Sequence, residues 1–416
     1  MTRQPCILFF APLCYPPAGA ESIVTAKLVL AMVEMGLEVD IITQGDYGHL
    51  YPTRDDGIWV PVKERVFSID GFRSGGLIAR LSGTRLFSFL WRIRSILWSL
   101  KASIKAFGLI RCKHYNIIIS RASPQYGHLP ALITSFWSSI PWCAAWSDPM
   151  PPHKAPAPYG EGPDSKAGYL SLKYCELIVK RADWHVFPCE RLRNYATRYL
   201  PGLLGKSSVI PHISMNNLFH PESIDYVHRN FIICYAGSLT LRDPTIFLKG
   251  VRHFLDRHPS EDNFEIVIVG SDLETLLTKS SELNIDKTLR ILTVKSYQET
   301  LEIMAGATVL LIIEASCDEG IFFPSKFVDF IQTGRPILAV SPRNGTLFDI
   351  LSEHGGGLAV DCTSADDVAR GITDLYTAWK TGELEKRYNS SRLKNLFCAE
   401  TILTAYTAVI EKLVRH

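Results

Sequence analysis

From Phe231 onward the chain alternates short apolar runs with amphipathic segments in a spacing that few folds can use. Strands are predicted at Phe231–Gly237, Phe264–Gly270, Leu289–Val294, Thr308–Glu314, Pro336–Val340 and Leu358–Asp361. Helices are predicted at Pro244–Arg257, Leu273–Glu282, Tyr297–Ala305, Ser325–Thr333, Thr346–Glu353 and Ala365–Thr381. Repeated βα units of this length demand a parallel sheet with helices on both faces. The first half repeats the theme less regularly. Its strands are expected at Ile7–Ala11, Glu38–Thr43, Asn116–Ser120, Trp142–Trp146, Trp184–Pro188 and Ser208–Pro211, with helices at Ser22–Met35, Gly168–Ala182 and Glu190–Leu200. The expected fold class is α/β, with two Rossmann-like parallel-sheet domains facing a central cleft and ligands at the carboxyl ends of the strands. The expected boundaries are 1–215, 216–398 and a terminal helix, 399–416, packing back towards the first domain.

Composition narrows the function classes. Hydrophobic residues at 47% and charged residues at 21% of 416 describe a globular chain. Lys and Arg total 44 against 42 Asp and Glu, so the net charge of +2 offers no general footprint for nucleic acid. The sum hides an asymmetry. No acidic residue lies between Asp70 and Asp148, whereas ten Lys or Arg do. The ten cysteines include no Cys-x-x-Cys and no zinc-like Cys/His spacing, which fits reduced thiols in a cytosol. The apolar start Cys6–Pro12 reads as a buried strand rather than a signal-peptide core. The closest approach to a spanning apolar run, His128–Trp146, is broken by Pro130 and Pro141 and contains several serines. A soluble or peripheral protein of the cytoplasm, at most on the inner face of a membrane, is expected.

Three turns carry candidate chemistry. Pro16-Pro17-Ala18-Gly19-Ala20-Glu21-Ser22 follows the first strand and opens a helix, with Ser22 the expected N-cap. Such a turn can approach a phosphate or be an ordinary strand–helix connection. Tyr235-Ala236-Gly237-Ser238-Leu239-Thr240-Leu241-Arg242-Asp243-Pro244 repeats the pattern with an arginine in it. Arg242 can pair with phosphate oxygens or with Asp243. The third segment runs from Glu319-Gly320-Ile321-Phe322-Phe323 through Pro324-Ser325-Lys326 to Asp329 and Gly334-Arg335-Pro336. Lys326 places a cation in the first turn of a helix, against the dipole, which is costly unless an anion binds there. Asp329, about one turn on, shares its face and can accept from ribose hydroxyls.

The pattern Pro-Ser-Lys-x-x-Asp-Phe-x-x-x-Gly-Arg-Pro resembles the signature helix of the family 4 glycosyltransferases, which have the GT-B fold. Gly237-Ser238-Leu239 with Arg242-Asp243-Pro244 resembles that family's second-domain phosphate loop, and Pro16-Pro17-x-Gly19 its first-domain loop. Ser123-Pro124 with His128-Leu129, Pro141-Trp142 with Asp148-Pro149, and Val209-Ile210-Pro211-His212 follow in the family's order, so the resemblance covers nearly the whole chain. It implies a retaining, nucleotide-sugar-dependent, metal-independent transferase with no resident cofactor. Arg242 and Lys326 would hold the donor diphosphate, with Gly19 beside it. Asp329 would bind ribose, while Glu319 and the Gly320, Ile321 and Phe322 backbone would address the transferred sugar. His128 would stand near the reaction centre, or be a core or capping histidine, and Asp148 would lie on the acceptor side. One departure stands out. The family's paired acids are usually eight residues apart, whereas Glu319 and Asp329 are ten apart.

The acid-free stretch contains a helix expected at Leu86–Phe107. Leu90, Ile93, Leu97, Leu100 and Ile104 form one stripe, the expected core contact. Phe87, Trp91, Arg94, Trp98, Lys101 and Lys105 share a neighbouring face suited to an anionic membrane or to plain solvation. A membrane face would make a lipid-linked or cell-envelope glycan the acceptor. Competing readings are a nucleotide-sugar 2-epimerase of the same architecture and a catalytically degenerate scaffold; nucleic acid is not an expected partner.

Overall fold

The computed structural model describes residues 5–15, 19–45, 57–70, 85–160, 166–215, 218, 230–259 and 263–415; for 85–91 and 166–167 only the backbone is described. Two compact units emerge. One comprises Met1–Pro151, Asp164–His212 and Ile402–His416, the other Pro152–Pro163 and Ile213–Thr401.

The first unit is built on seven parallel strands: β1 (Cys6–Phe10), β2 (Glu38–Gln44), β3 (Val66–Ile69), β4 (Ile117–Ala122), β5 (Trp142–Trp146), β6 (Trp184–Phe187) and β7 (Ser207–Val209). Their order is β3-β2-β1-β4-β5-β6-β7. β1, β4 and β5 are buried at every residue. That explains their unbroken apolar sequence, since helices cover both faces. β3 was not anticipated from the sequence. It is a half-exposed edge strand of four residues, too short to show a period. The terminal helix Ala399–Val414 contributes most of its length to this unit, where Lys412 Nζ lies 3.6 Å from the Trp184 ring centroid.

The second unit has six parallel strands: β8 (Phe231–Ser238), β9 (Phe264–Ser271), β10 (Leu289–Leu292), β11 (Val309–Ile313), β12 (Ile337–Ser341) and β13 (Gly357–Asp361). They are ordered β10-β9-β8-β11-β12-β13. Phe231, Ile233 and Tyr235 of β8 pack with Phe247, Val251 and Phe254 of the following helix, and Leu311 and Ile313 of β11 extend the same core. In each sheet the strand order reverses once, between β1 and β4 and between β8 and β11. Loops diverge there and leave a crevice at the carboxyl ends of the strands.

The long helix, Arg85–Cys112, turns opposite to expectation. Trp98 is fully buried and Arg94 nearly so, whereas most of the stripe expected inside is out: Ile93, Leu100 and Ile104 are exposed and Leu97 is half-buried. Of the four residues placed on a membrane face, only Lys101 and Lys105 are exposed; the side chains of Phe87, Leu90 and Trp91 lie outside the described residues. The reason is close packing. Ser95, Ser99, Ala102, Ser103 and Ala106 face inward, and Ser103 Oγ reaches the Pro130 carbonyl at 3.1 Å on the helix Leu129–Thr134. Trp98 fills the remaining space edge-on to Tyr126. No helix among the described residues is long and apolar enough to cross a membrane.

Candidate functional site

The switch point of the second unit gathers most of the expected donor residues. β8 ends at Gly237-Ser238, where Gly237 has φ +127°, a conformation that favours glycine. A Cβ at this position would lie 2.8 Å from Lys326 Nζ. The loop beyond is pinned from two sides. Tyr235 Oη donates to the Ser238 carbonyl (2.7 Å), and Asp272 Oδ2 accepts from Ser238 Oγ (2.5 Å), Thr240 Oγ1 (2.8 Å) and Ser271 Oγ (2.9 Å). Those hydrogen bonds hold the Asp272 carboxyl below its ordinary pKa. Leu241 is held at φ +60°, an uncommon conformation for a non-glycine residue, immediately before Arg242.

Arg242 is not paired with Asp243. Asp243 Oδ1 instead accepts from the backbone and hydroxyl of Thr245 at 2.9 and 2.5 Å, opening the helix Thr245–Arg257. Among the described residues Arg242 makes no ion pair; its guanidinium reaches only the Thr240 carbonyl, at 3.4 Å. Lys326 begins the helix Lys326–Thr333, whose N-cap, Ser325, makes no side-chain capping bond. The Lys326 Nζ is buried without a hydrogen-bond partner among the described residues and lies 4.1 Å from the Tyr235 ring centroid. Burial, reinforced by the Arg242 charge, pushes its pKa down to about 7. An unpaired ammonium and an unpaired guanidinium beside a glycine turn and a helix N-terminus form an anion cradle.

Two further groups belong to this crevice and were missed from the sequence. Glu314, just past β11, is buried, accepts from Ser341 Oγ, and is pushed up to about 7 by desolvation. It lines a cavity of about 240 Å³ together with Asp243, Ile246, Ser316 and Thr363. Tyr159, from the Pro/Gly-rich segment grouped with this unit, packs against Phe322 at 4.3 Å between ring centroids and feels the Arg242 charge. A carboxylate ending an apolar strand was a legible signal for Glu314. Tyr159 and Asp272 had none, because only the folded chain brings them here.

The remaining donor-side residues are placed with differences. Asp329 accepts from Tyr297 Oη at 2.7 Å, and that contact together with burial raises the phenol far above its usual range. Gly320, expected to address the transferred sugar through its backbone, has both peptide groups in hydrogen bonds within the chain. Its N–H donates to the Asn344 carbonyl (2.9 Å), and its own carbonyl accepts from Thr346 N (2.9 Å) and Oγ1 (3.0 Å). Ile321 is fully buried and its N–H turns back to the Glu319 carbonyl at 3.1 Å. Glu319 and Phe322 are half-buried.

In the first unit Gly19 has φ +122° and is itself the N-cap of the helix Ala20–Glu34, so Ser22, expected to cap it, lies buried inside the first turn. Residues 16–18 of that loop lie outside the described residues. Glu21 pairs with Arg121 Nε of β4 at 2.5 Å and accepts from Ser147 Oγ at 2.9 Å. Burial pushes the Glu21 carboxyl up, against the pull of Arg121. Asp148, exposed, lies close enough to feel Arg121, and His212 Nδ1 is 3.4 Å from the guanidinium. Tyr406, from the terminal helix, lies close enough to feel the Arg121 charge. The clue to this cluster was an arginine inside the apolar run Ile117–Ala122. His128 is elsewhere in character: it has no accessible surface. Trp142 Nε1 donates to Ser120 Oγ (2.7 Å), which lies 2.8 Å from His128 Nδ1, and the Trp146 ring centroid is 4.7 Å away. Desolvation lowers its pKa to about 3, so the ring is neutral at physiological pH. The ring is enclosed by Trp142 and Trp146, and its Nε2 is buried without a hydrogen-bond partner among the described residues. Among the described residues no group of three or more His, Cys, Asp or Glu is placed to hold a metal.

No protein-family model matches the chain, and no curated protein does. Solved structures match over its whole length. A glycosyltransferase from Rickettsia africae shares 12% identity, with 99% of both chains covered and a TM-score of 0.69. The sucrose-phosphate synthase of Thermosynechococcus elongatus shares 16%, with 99% of both chains covered and a TM-score of 0.70. The HepE protein of Anabaena, solved in complex with UDP, shares 12%, covering 99% of this chain and 100% of its own, at a TM-score of 0.67. A UDP-N-acetylglucosamine 2-epimerase from Listeria monocytogenes described as putative, 13% identical over 99% and 98% of the two chains, reaches 0.59. The chain therefore has the two-unit, parallel-sheet Rossmann-like architecture of GT-B glycosyltransferases.

Proposed function

We propose that this protein transfers a sugar from a nucleotide-diphosphate donor to an acceptor hydroxyl with retention of configuration, in the manner of the family 4 glycosyltransferases. The observation that carries the reading is the buried, unpartnered Lys326 ammonium facing the Gly237 turn beside an unpaired Arg242. The structures of a like fold include one in complex with UDP-glucose, at a TM-score of 0.65. Asp329, steadied by Tyr297, takes the ribose hydroxyls. Glu319 is the residue to be tested against the transferred sugar, and Asp148, with the Glu21–Arg121 pair behind it, against the acceptor.

In the proposed reaction the bond between the anomeric carbon and the diphosphate oxygen breaks. The acceptor oxygen bonds to the same face of that carbon, and its proton passes to the departing diphosphate. The chain supplies no nucleophile in this scheme. Lys326 and Arg242 neutralise the charge that grows on the leaving group, in place of a metal, and the pinned 237–244 loop holds them ready. The acceptor is a glycan or a lipid-linked glycan.

A nucleotide-sugar panel scored by thermal shift, with UDP and GDP as controls, identifies the donor. Product analysis by NMR with that donor and a glycan acceptor is then expected to show transfer with the donor's anomeric configuration, undiminished by EDTA. Epimerised donor formed without acceptor would make the protein an epimerase. Full activity in an Arg242→Ala, Lys326→Ala double variant would remove the roles assigned to both residues.

A further inference from the structure

The helix Arg85–Cys112 buries its small side chains and exposes its large ones. Inside are Ser95, Ser99, Ala102, Ser103 and Ala106, with Trp98; outside are Ile93 (39% exposed), Ile96 (50%), Leu100 (44%), Ile104 (72%) and Phe107 (47%). At about 100° per residue these five fall within an arc of about 80°. The stripe continues onto the neighbouring turn, where Trp137 (41% exposed) meets Phe107 edge-on at 5.1 Å. Isolated exposed apolar residues need no explanation, but a continuous row of six does.

The charge around the row selects what covers it. Exposed Arg92 flanks one side of the stripe, exposed Lys101 and Lys105 the other, and exposed Arg111 lies in line with its end. Lys101 Nζ reaches the Asp70 carbonyl at 3.4 Å, Lys105 Nζ lies over the Phe67 ring, and the sequence holds no acidic residue between Asp70 and Asp148. Lys113, by contrast, is engaged by Asp40 and Glu38 and is no part of the surface. A second copy meeting this face about a two-fold axis would set Arg92, Lys101, Lys105 and Arg111 of one copy against the same cations of the other. An apolar row bordered by cations matches the plane where acyl chains meet anionic headgroups.

We propose that this helix face, with Trp137, docks the protein on an anionic lipid bilayer, the row entering the acyl boundary and Arg92, Lys101, Lys105 and Arg111 lying among the headgroups. This stands independently of the proposed transfer reaction. The surface differs from the one the sequence suggested: of its four expected residues, Lys101 and Lys105 remain, while Arg94 and Trp98 are structural.

The test is co-sedimentation of the full chain with vesicles of phosphatidylglycerol and phosphatidylcholine in equal parts, against phosphatidylcholine alone. The chain is expected to pellet with the anionic vesicles and to be released by salt. Ile96→Asp with Ile104→Asp, both at exposed positions, is expected to lower the partition coefficient at least about tenfold with unchanged circular dichroism and thermal midpoint. Brominated acyl chains are expected to quench tryptophan fluorescence in the wild type and much less in Trp137→Phe. The proposal is overturned if the wild type stays in the supernatant, if the double variant pellets equally well, or if quenching survives Trp137→Phe. Sedimentation of the wild type as a dimer that the double variant dissolves would assign the face to a second copy instead.

Discussion

Replacing Lys326 by methionine tests the anion cradle through opposite effects on the free and the liganded protein. The lysine pKa drops from 10.5 to about 7 in the folded chain because the ammonium is desolvated beside Arg242. At about 1.4 kcal/mol per pKa unit, that is a penalty of about 5 kcal/mol for keeping the folded side chain charged. Methionine keeps the stem without the charge and forfeits an ammonium–ring contact with Tyr235 worth about 1–2 kcal/mol. The ligand-free Lys326→Met protein is therefore expected to be more stable by roughly 3 kcal/mol. The sign follows from linkage. Above pH 10.5 the lysine is neutral in both states and the substitution gains nothing from charge. As pH falls towards 7 the unfolded lysine binds its proton first, so the wild type loses stability, and the full difference is present below about 7. Scanning calorimetry at pH 6 and at pH 10 measures it. Binding runs the other way. At pH 8 a lysine with pKa about 7 is roughly nine-tenths neutral, and a diphosphate that pairs it restores the ammonium. Titration calorimetry with UDP, in two buffers of different ionisation heat, is expected to show net proton uptake, up to about one proton per UDP bound. In Lys326→Met the uptake vanishes and affinity falls by about 10²–10³-fold. Proton-neutral binding by the wild type, or a methionine variant that is less stable and binds UDP equally well, would refute the argument.

Gly237→Ala places a Cβ 2.8 Å from Lys326 Nζ at φ +127°; UDP affinity is expected to fall at least about tenfold, with about 1–3 kcal/mol lost in urea unfolding. Arg121→Met strands the Glu21 carboxylate in its buried setting and is expected to cost about 3–5 kcal/mol in the same assay, part of it restored by adding Glu21→Gln. Acid weakens the first unit through its neutral histidines, since burial lowers His128 and His185 to about 3 and His212 well below its ordinary value. The unfolded chain protonates them below about 6.5, so their contribution is whole above that value and falls by about 4 kcal/mol per pH unit between pH 6 and 4. Denaturation followed by the fluorescence of Trp142 and Trp146 measures the slope, which His128→Gln is expected to lower by about a third.

What the sequence disclosed depended on whether the relevant physics was local. Buried parallel strands such as Cys6–Phe10 and Val309–Ile313 are unbroken apolar runs, so their positions were legible to within a residue or two. Lys326 was legible because a cation in the first helical turn opposes the dipole without any tertiary information. Tyr159 and Asp272 acquire meaning only in the folded chain, beside the ends of β8, β9 and β11, and no sequence spacing encodes that meeting, whereas Glu314 left a local trace as a carboxylate ending an apolar strand. His128 shows the limit of order alone: its place in a familiar sequence of residues suggested chemistry, but its enclosure by Trp142 and Trp146 could be seen only in the folded chain. The long helix is the most instructive case. Its apolar stripe was assigned inward by the rule that a helix buries its hydrophobic face, and the periodicity itself was real: Ile93, Leu100 and Ile104 do form one row. The rule failed because it compares faces only by hydrophobicity. Ser95, Ser99, Ala102, Ser103 and Ala106 form a smoother face, which lets the helix approach the Leu129–Thr134 segment closely and satisfies its hydroxyls on backbone carbonyls. A chain shaped only for folding would have little reason to keep isoleucine, leucine and phenylalanine on the opposite side, where exposure costs solubility. Their retention there, in the one long interval without a carboxylate, indicates a face shaped for something other than water.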